Sequence, residues 1–183
     1  TQIKEQLQKR DSTITTELMA NEGCLLQCPF KLAHDAHISY SNLTPGMEST
    51  FKMNRSLGCH HWFHTHPQTV LASPFIRPED VGVYDTIADT LKLCGRTLGP
   101  GFLIRCIQAF IHQSYTGNLL DLLDATHWLS DLYHIDNTKL GPDFLNTLAH
   151  CTKDCRHCNM CETFFSTVAV KTPIGLKNYK DYL

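Results

Sequence analysis

Cysteine and histidine carry the chemistry of this sequence: nine Cys and eleven His stand among 183 residues. The last four Cys fall within eleven residues, as Cys151-x3-Cys155-x2-Cys158-x2-Cys161. Spacers of two or three residues allow a tight loop in which four thiolates reach one metal centre. The Cys-x2-Cys-x2-Cys part has the spacing of 4Fe–4S cluster-binding loops, although it lacks the Cys-Pro that ends the bacterial version. Zinc on four thiolates is the competing assignment, usually built from two separated Cys pairs, with His157 as a substitute ligand. Lys153, Arg156 and Lys171 would offset the charge of a thiolate-bound cluster. Such a centre would fold a segment that has little apolar surface of its own.

A second group of thiols lies upstream. Cys24-x3-Cys28-Pro29 follows the turn Asn21-Glu22-Gly23, and Cys59 sits in Gly58-Cys59-His60-His61. Cys94 closes a short apolar run. Three or four Cys from different strand ends suit a cluster held in a barrel mouth, whereas scattered buried thiols are the plainer alternative. His34, His37, His60, His61, His64 and His66 crowd the same stretch, and His34, six residues after Cys28, is the preferred functional one. Arg77, Glu79 and Asp80 join a strand end to a helix start, so they either face a pocket or make a cap with an ion pair. Lys92 shares a strand face with Cys94, next to Arg96; an inward lysine needs an anion or carboxylate partner. Cys106 lies on the apolar stripe of a helix and reads as a structural thiol.

The elements that must position these residues show an α/β pattern. Residues 12–20 (STITTELMA), rich in β-branched side chains, predict a strand, and 69–75 (TVLASPF) and 90–94 (TLKLC) predict two more. Pro78 with Glu79 and Asp80 starts a helix carrying Val81, Tyr84, Ile87 and Ala88. Phe102, Leu103, Cys106, Ile107, Phe110 and Ile111 mark another. Residues 1–10 are polar and helix-prone, and 39–58, dense in Ser, Asn, Gly and Pro, predict a loop. From Leu119 the chain reads as helical and irregular. Strand–helix–strand–helix is the crossover pattern of a parallel sheet, but three strands cannot close an eight-stranded barrel. The division expected is a βα-barrel portion over 1–116 and a helical, Cys-rich extension over 117–183.

Composition bounds the classes. With 42% hydrophobic and 19% charged residues a packed core is feasible. A net charge of -2 gives no basic field for autonomous nucleic-acid binding. No apolar run approaches the ~20 residues of a membrane helix and no signal-peptide pattern opens the chain, so a cytoplasmic metalloprotein with no membrane partner is expected. The start at Thr1 raises the expectation of a fragment.

The segments NEGCLLQCPFKLAHDAHIS, SPFIRPEDVGVYDTIADTLKLCGRT and YTGNLLDLLD, ending in CTKDCRHCNMC, together resemble the collagenase-like peptidase family U32 over residues 12 to 165. The resemblance implies the C-terminal part of a TIM-barrel-like domain, with the earlier strands missing or on another polypeptide. Where many relatives carry Lys-Ile-Glu-Gly-Arg, this chain has Lys92-Leu93-Cys94-Gly95-Arg96, so any role of that acidic residue does not transfer. Characterised relatives include proteins of RNA hydroxylation and of oxygen-independent ubiquinone synthesis, several with a 4Fe–4S cluster. The resemblance implies Cys24, Cys28 and Cys59 as cluster ligands, with Cys94 or a residue outside this chain as the fourth. The Cys151–Cys161 group is not general to that family and would be a second centre.

The expectation is therefore a partial barrel with one or two Cys-ligated centres, 4Fe–4S or, at Cys151–Cys161, zinc. The leading activity is oxidoreduction or hydroxylation of an RNA base or small organic substrate, with Lys92, Arg96, His34, Arg77 and Glu79 around the reacting group. A missing barrel half or partner subunit would complete it. Peptidase activity is the alternative, although neither Gly-x-Ser-x-Gly nor His-Glu-x-x-His occurs. A zinc-stabilised binding module is the third class. Cys151-x3-Cys155-x2-Cys158 also has radical-SAM spacing, but it follows helices rather than a first barrel strand.

Overall fold

The computed structural model describes residues 5–7, 9, 11, 13–48 and 51–172. The expected helix over 1–10 therefore falls largely outside the described residues. Strand β1 (Glu17–Met19) pairs in parallel with β2 (Thr90–Lys92), in the register Glu17↔Thr90, Leu18↔Leu91, Met19↔Lys92. Strand β3 (Tyr133–Ile135) pairs antiparallel with β4 (Ala169–Lys171). The parallel βα expectation holds for one pair of strands; among the described residues no closed barrel is found.

The predicted strand at 69–75 is instead a 3-10 helix, Pro67–Ala72, with Val70 and Leu71 in the core. A short apolar run reads equally as a buried strand or a buried helical turn, and Pro67 at its start selects the latter. Only its continuation is extended, where the Ile76 amide donates to the Ala20 carbonyl at 2.7 Å. The predicted helix after Pro78 shortens to a 3-10 segment, Pro78–Val83, followed by turns.

The predicted loop over 39–58 also differs. Helix α1 (Lys31–Leu43) runs on through Ser39, and α2 (Met53–Ser56) follows. Ser41 Oγ donates back to the Ile38 carbonyl at 2.9 Å, which satisfies the hydroxyl inside the helix. Helix α1 then ends at Leu43, just before Pro45, as the restriction ahead of proline requires. Helix α3 (Cys59–Thr65) leads into the 3-10 segment.

Helix α4 (Pro100–His112) forms as expected and buries Phe102, Cys106 and Ala109. Beyond it, 3-10 turns replace the expected helices, until α5 (Phe144–Ala149) and α6 (Met160–Val168). The main core joins Phe63, Val70 and Leu71 to Leu119, Leu120, Leu129, Ile135 and Val168. Residues on both sides of position 116 thus share one core. A smaller cluster packs Phe102, Cys106 and Ala109 on Leu122.

Candidate functional site

Asn21 organises the floor of the site. It is buried at the end of β1; its Oδ1 accepts the Cys94 amide at 2.6 Å, and its Nδ2 donates to the Leu122 carbonyl at 3.0 Å. The Asp124 and Ala125 amides donate to the carbonyls of Asn21 and Glu22 at 2.9 and 2.8 Å. Gly23 takes φ +69°, and a Cβ there would stand 2.8 Å from Thr126 Oγ1, so only glycine lets the two segments close. Cys24 and Asp124 are thereby delivered to the same wall.

That wall belongs to a cavity of about 260 Å³. Cys24 and Cys28 enter from the turn after β1, His34 from α1, and Cys59 and His60 from α3. Asp124, on the Cys24 wall, and Trp128 complete the lining. Three thiols singled out in the sequence thus line one space, although more than thirty residues of chain separate two of them. His34 stacks on Phe51 with centroids 5.4 Å apart, and its Nδ1 lies 3.3 Å from Asn54 Nδ2. The His60 ring lies 5.0 Å from Trp128.

Burial governs the protons here. It pushes the Cys24 thiol up to about 12, with the Glu22 carboxylate adding to it and Lys31 opposing. Burial likewise pushes Cys59 up to about 11 and His60 down to about 4. At neutral pH both thiols are protonated and the imidazole is neutral, so no thiolate–imidazolium pair is preformed. Burial and the Glu22 charge raise the Asp124 carboxyl above its ordinary value. Lys31, 2.8 Å from Glu22 and 3.2 Å from Asp35, supplies a cation beside the thiols.

The remaining sequence candidates lie elsewhere. Cys94 Sγ sits 3.3 Å from Met19 Sδ and does not line the cavity. Lys92, expected to point inward, is instead half exposed and pairs with Glu17 at 3.2 Å, because β2 has solvent where a barrel interior was expected. Arg96 is exposed in the segment Arg96–Leu98. Arg77 does not face a pocket: it is buried in a two-bonded pair with Asp80 at 2.7 and 2.9 Å, donates to the Gly141 carbonyl and lies over Phe144. Glu79 accepts from the Tyr115 amide and from Asn137 Nδ2. Arg77 thus ties its segment to the loop before α5, and Glu79 ties it to the segments after α4 and β3. Cys106 is buried beside Asn21 and Leu122, as a structural thiol should be.

Sequence reasoning missed Lys31, Asn54, Asp124 and Trp128. The first has a local signal, a lysine seven residues after Cys24 in line with an acidic turn; the other three become neighbours only through the fold. Cys151, Cys155, Cys158 and Cys161 do not line the cavity, and Cys155 and Cys158 are on the surface.

Among the described residues no three His, Cys, Asp or Glu side chains are grouped closely enough to hold a metal ion. One tetrahedral ion with ~2.3 Å thiolate bonds needs sulfurs about 3.8 Å apart. The donor chemistry of Cys24, Cys28 and Cys59 fits a thiolate-bound group.

The chain is similar to an uncharacterized protease of Methanocaldococcus jannaschii, with 31% identity over 148 residues. The match takes in 80% of this chain but 43% of that relative, so the chain spans less than half of its length. No family model matches, and no solved structure matches significantly. Among the described residues no helix is long and apolar enough to cross a membrane.

Proposed function

We propose that this chain is a section of a U32-type protease-related protein and that the thiol-lined cavity is its functional site. The observation that carries the site is the meeting of Cys24, Cys28 and Cys59, from two separate stretches of chain, around one space. The relative's name supports the peptidase side of this reading.

As a peptidase, the site would work through an activated water in place of Cys24 or Cys59, whose thiols burial pushes up. Asp124, which lines the cavity and whose carboxyl is raised by burial, would take and return a proton. Lys31, at the cavity edge, would stabilise negative charge on a carbonyl oxygen.

The second reading is an iron–sulfur oxidoreductase or hydroxylase acting on an RNA base or small organic substrate. The three cavity thiols favour it; the relative's name does not. Cys24, Cys28 and Cys59 would hold a 4Fe–4S cluster, which supplies electron transfer or substrate activation. Lys31 would balance its charge, and His34, Phe51 and Trp128 would wall the substrate space.

One preparation separates the readings. The chain is purified anaerobically and tested for iron, sulfide and hydrolysis of gelatin and of fluorogenic peptides. The peptidase reading expects hydrolysis that Asp124→Asn lowers by about 10²-fold or more. The iron–sulfur reading expects bound iron that Cys24→Ala and Cys59→Ala each remove while Cys106→Ala does not. Equal iron loss from all three would sink the ligand assignment; absence of both hydrolysis and iron would sink the site.

A further inference from the structure

We propose that Cys151, Cys155, Cys158 and Cys161 form a second metal centre, a four-thiolate site separate from the cavity, that fastens the loop between α5 and α6. None of the four lines the cavity, so the inference does not rest on the function proposed above.

The two outer thiols are anchored by helices. The Cys151 amide donates to the Leu148 carbonyl at 3.1 Å, just past α5, and Cys161 stands in the first turn of α6. Both are half buried. The chain then bends round the first sulfur: Lys153 takes φ +62°, and its amide donates to Cys151 Sγ at 3.4 Å. An amide aimed at a sulfur stabilises thiolate charge, as hydrogen bonds to ligand sulfurs do in metal sites. A second turn follows, with the His157 amide donating to the Asp154 carbonyl at 3.2 Å, and it carries Cys155 and leads to Cys158. The four sulfurs are not closed to metal distance, and Cys155 and Cys158 are the exposed pair.

The loop's own contacts are local and solvent-facing, such as His157 Nδ1 at 3.0 Å from Asp154 Oδ2. Every side chain from 152 to 159 is exposed, so no apolar contact holds it. Yet α6 immediately after it supplies Phe164, Phe165 and Val168 to the main core. A metal bridging Cys151 to Cys161 would fix the entry of that helix at the cost of no buried surface.

The test uses the whole chain, purified anaerobically, beside a Cys155→Ser/Cys158→Ser double variant and the Cys24→Ala variant. Metal is measured by mass spectrometry and visible absorbance, and trypsin cleavage is followed at Lys153 and Arg156. The double variant is expected to lose one zinc, or one cluster's iron and sulfide, that Cys24→Ala retains. Its cleavage at Lys153 and Arg156 should rise about tenfold or more, as for a loop released from local order. Chelator treatment of the parent should give the same cleavage without any substitution, which covers a variant that fails to fold. Colourless zinc identifies a single ion and brown iron with sulfide a cluster; both support the centre. Parent metal content in the double variant, or a parent chain without metal beyond the cavity's, would overturn it.

Discussion

Asn21 holds Cys94 by both backbone groups: its Oδ1 accepts the Cys94 amide at 2.6 Å, and its Nδ2 donates to the Cys94 carbonyl at 3.2 Å. The same nitrogen reaches the Leu122 carbonyl, so one carboxamide ties the ends of β1 and β2 to the segment that carries Asp124. Asn21→Ala leaves several buried backbone groups without partners. A loss of ~2–4 kcal/mol is expected, read as a lower urea midpoint with unchanged slope. Asn21→Asp keeps the acceptor but loses the donors, and should fall between the parent and Ala.

Arg77 and Asp80 form the buried ion pair of the molecule's described core, with Phe144 under the guanidinium. Removing one partner strands the other charge, so Arg77→Ala should cost ~3–5 kcal/mol. Arg77→Lys cannot restore the two-bonded geometry and should recover only part of that. Because neither residue lines the cavity, Asp80→Asn should lower the melting temperature while leaving whatever hydrolysis or bound metal the parent shows, per folded molecule, unchanged.

How much of this was legible in sequence depends on range. Helix α4 was readable because its apolar stripe after Pro100 is local; the strand expected over 12–20 forms only at Glu17–Met19, past the β-branched run that suggested it, and that over 90–94 only at Thr90–Lys92. The 3-10 segment at 67–72 was not, since TVLASPF has too few residues to separate a period of 2 from one of 3. The thiols of the cavity were readable by type and by their place after a strand. Asp124 and Trp128 were not, because what brings them in is the docking of 122–126 on Asn21 and Gly23, a contact about a hundred residues apart. Lys92 misled for the opposite reason: strand alternation can give a residue a face but cannot say that solvent, rather than a barrel interior, lies there.

The half-buried His127 and the buried Cys106 contribute pH dependence at opposite ends of the scale. Burial holds the His127 imidazole below its ordinary value, where it stands edge-on to Phe102. The unfolded chain then binds more protons, so this contribution is complete above about pH 6.5 and is lost as pH falls below it. Acid unfolding curves of His127→Gln should show a shallower decline than the parent between pH 6.5 and 5.

Cys106 acts at the alkaline end. Burial pushes its thiol up to about 11 from 9.0. The folded state now holds the proton more tightly, so stability is complete below pH 9 and falls as pH rises toward 11, by up to ~3 kcal/mol at 1.36 per unit. Cys106→Ala should remove that share of the alkaline slope, at the expense of a lower plateau from the cavity it leaves. Urea midpoints from pH 8 to 11 make the comparison; an unchanged slope would deny the thiol its part.

Gly23 is the hinge between scaffold and site, and its replacement should affect both. At φ +69° an alanine is strained, and its Cβ would meet Thr126 Oγ1 at 2.8 Å and the Leu123 Cβ at 3.1 Å. Neither neighbour can yield easily, since both are held in the segment bonded to Asn21 and Glu22. Left-handed backbone costs a non-glycine residue ~1–2 kcal/mol before the clash is counted. Gly23→Ala is therefore expected to destabilise the fold by ~2–4 kcal/mol. Separation of the two segments also moves Cys24 away from Asp124, so the cavity's activity or bound metal should drop further than the folded fraction does. Gly82→Ala is the control, because nothing lies within 4 Å of a Cβ built there and its backbone is ordinary. Urea midpoints, with activity and metal per folded molecule, separate the two effects: a Gly23→Ala protein as stable as Gly82→Ala would contradict the close approach on which the site is built.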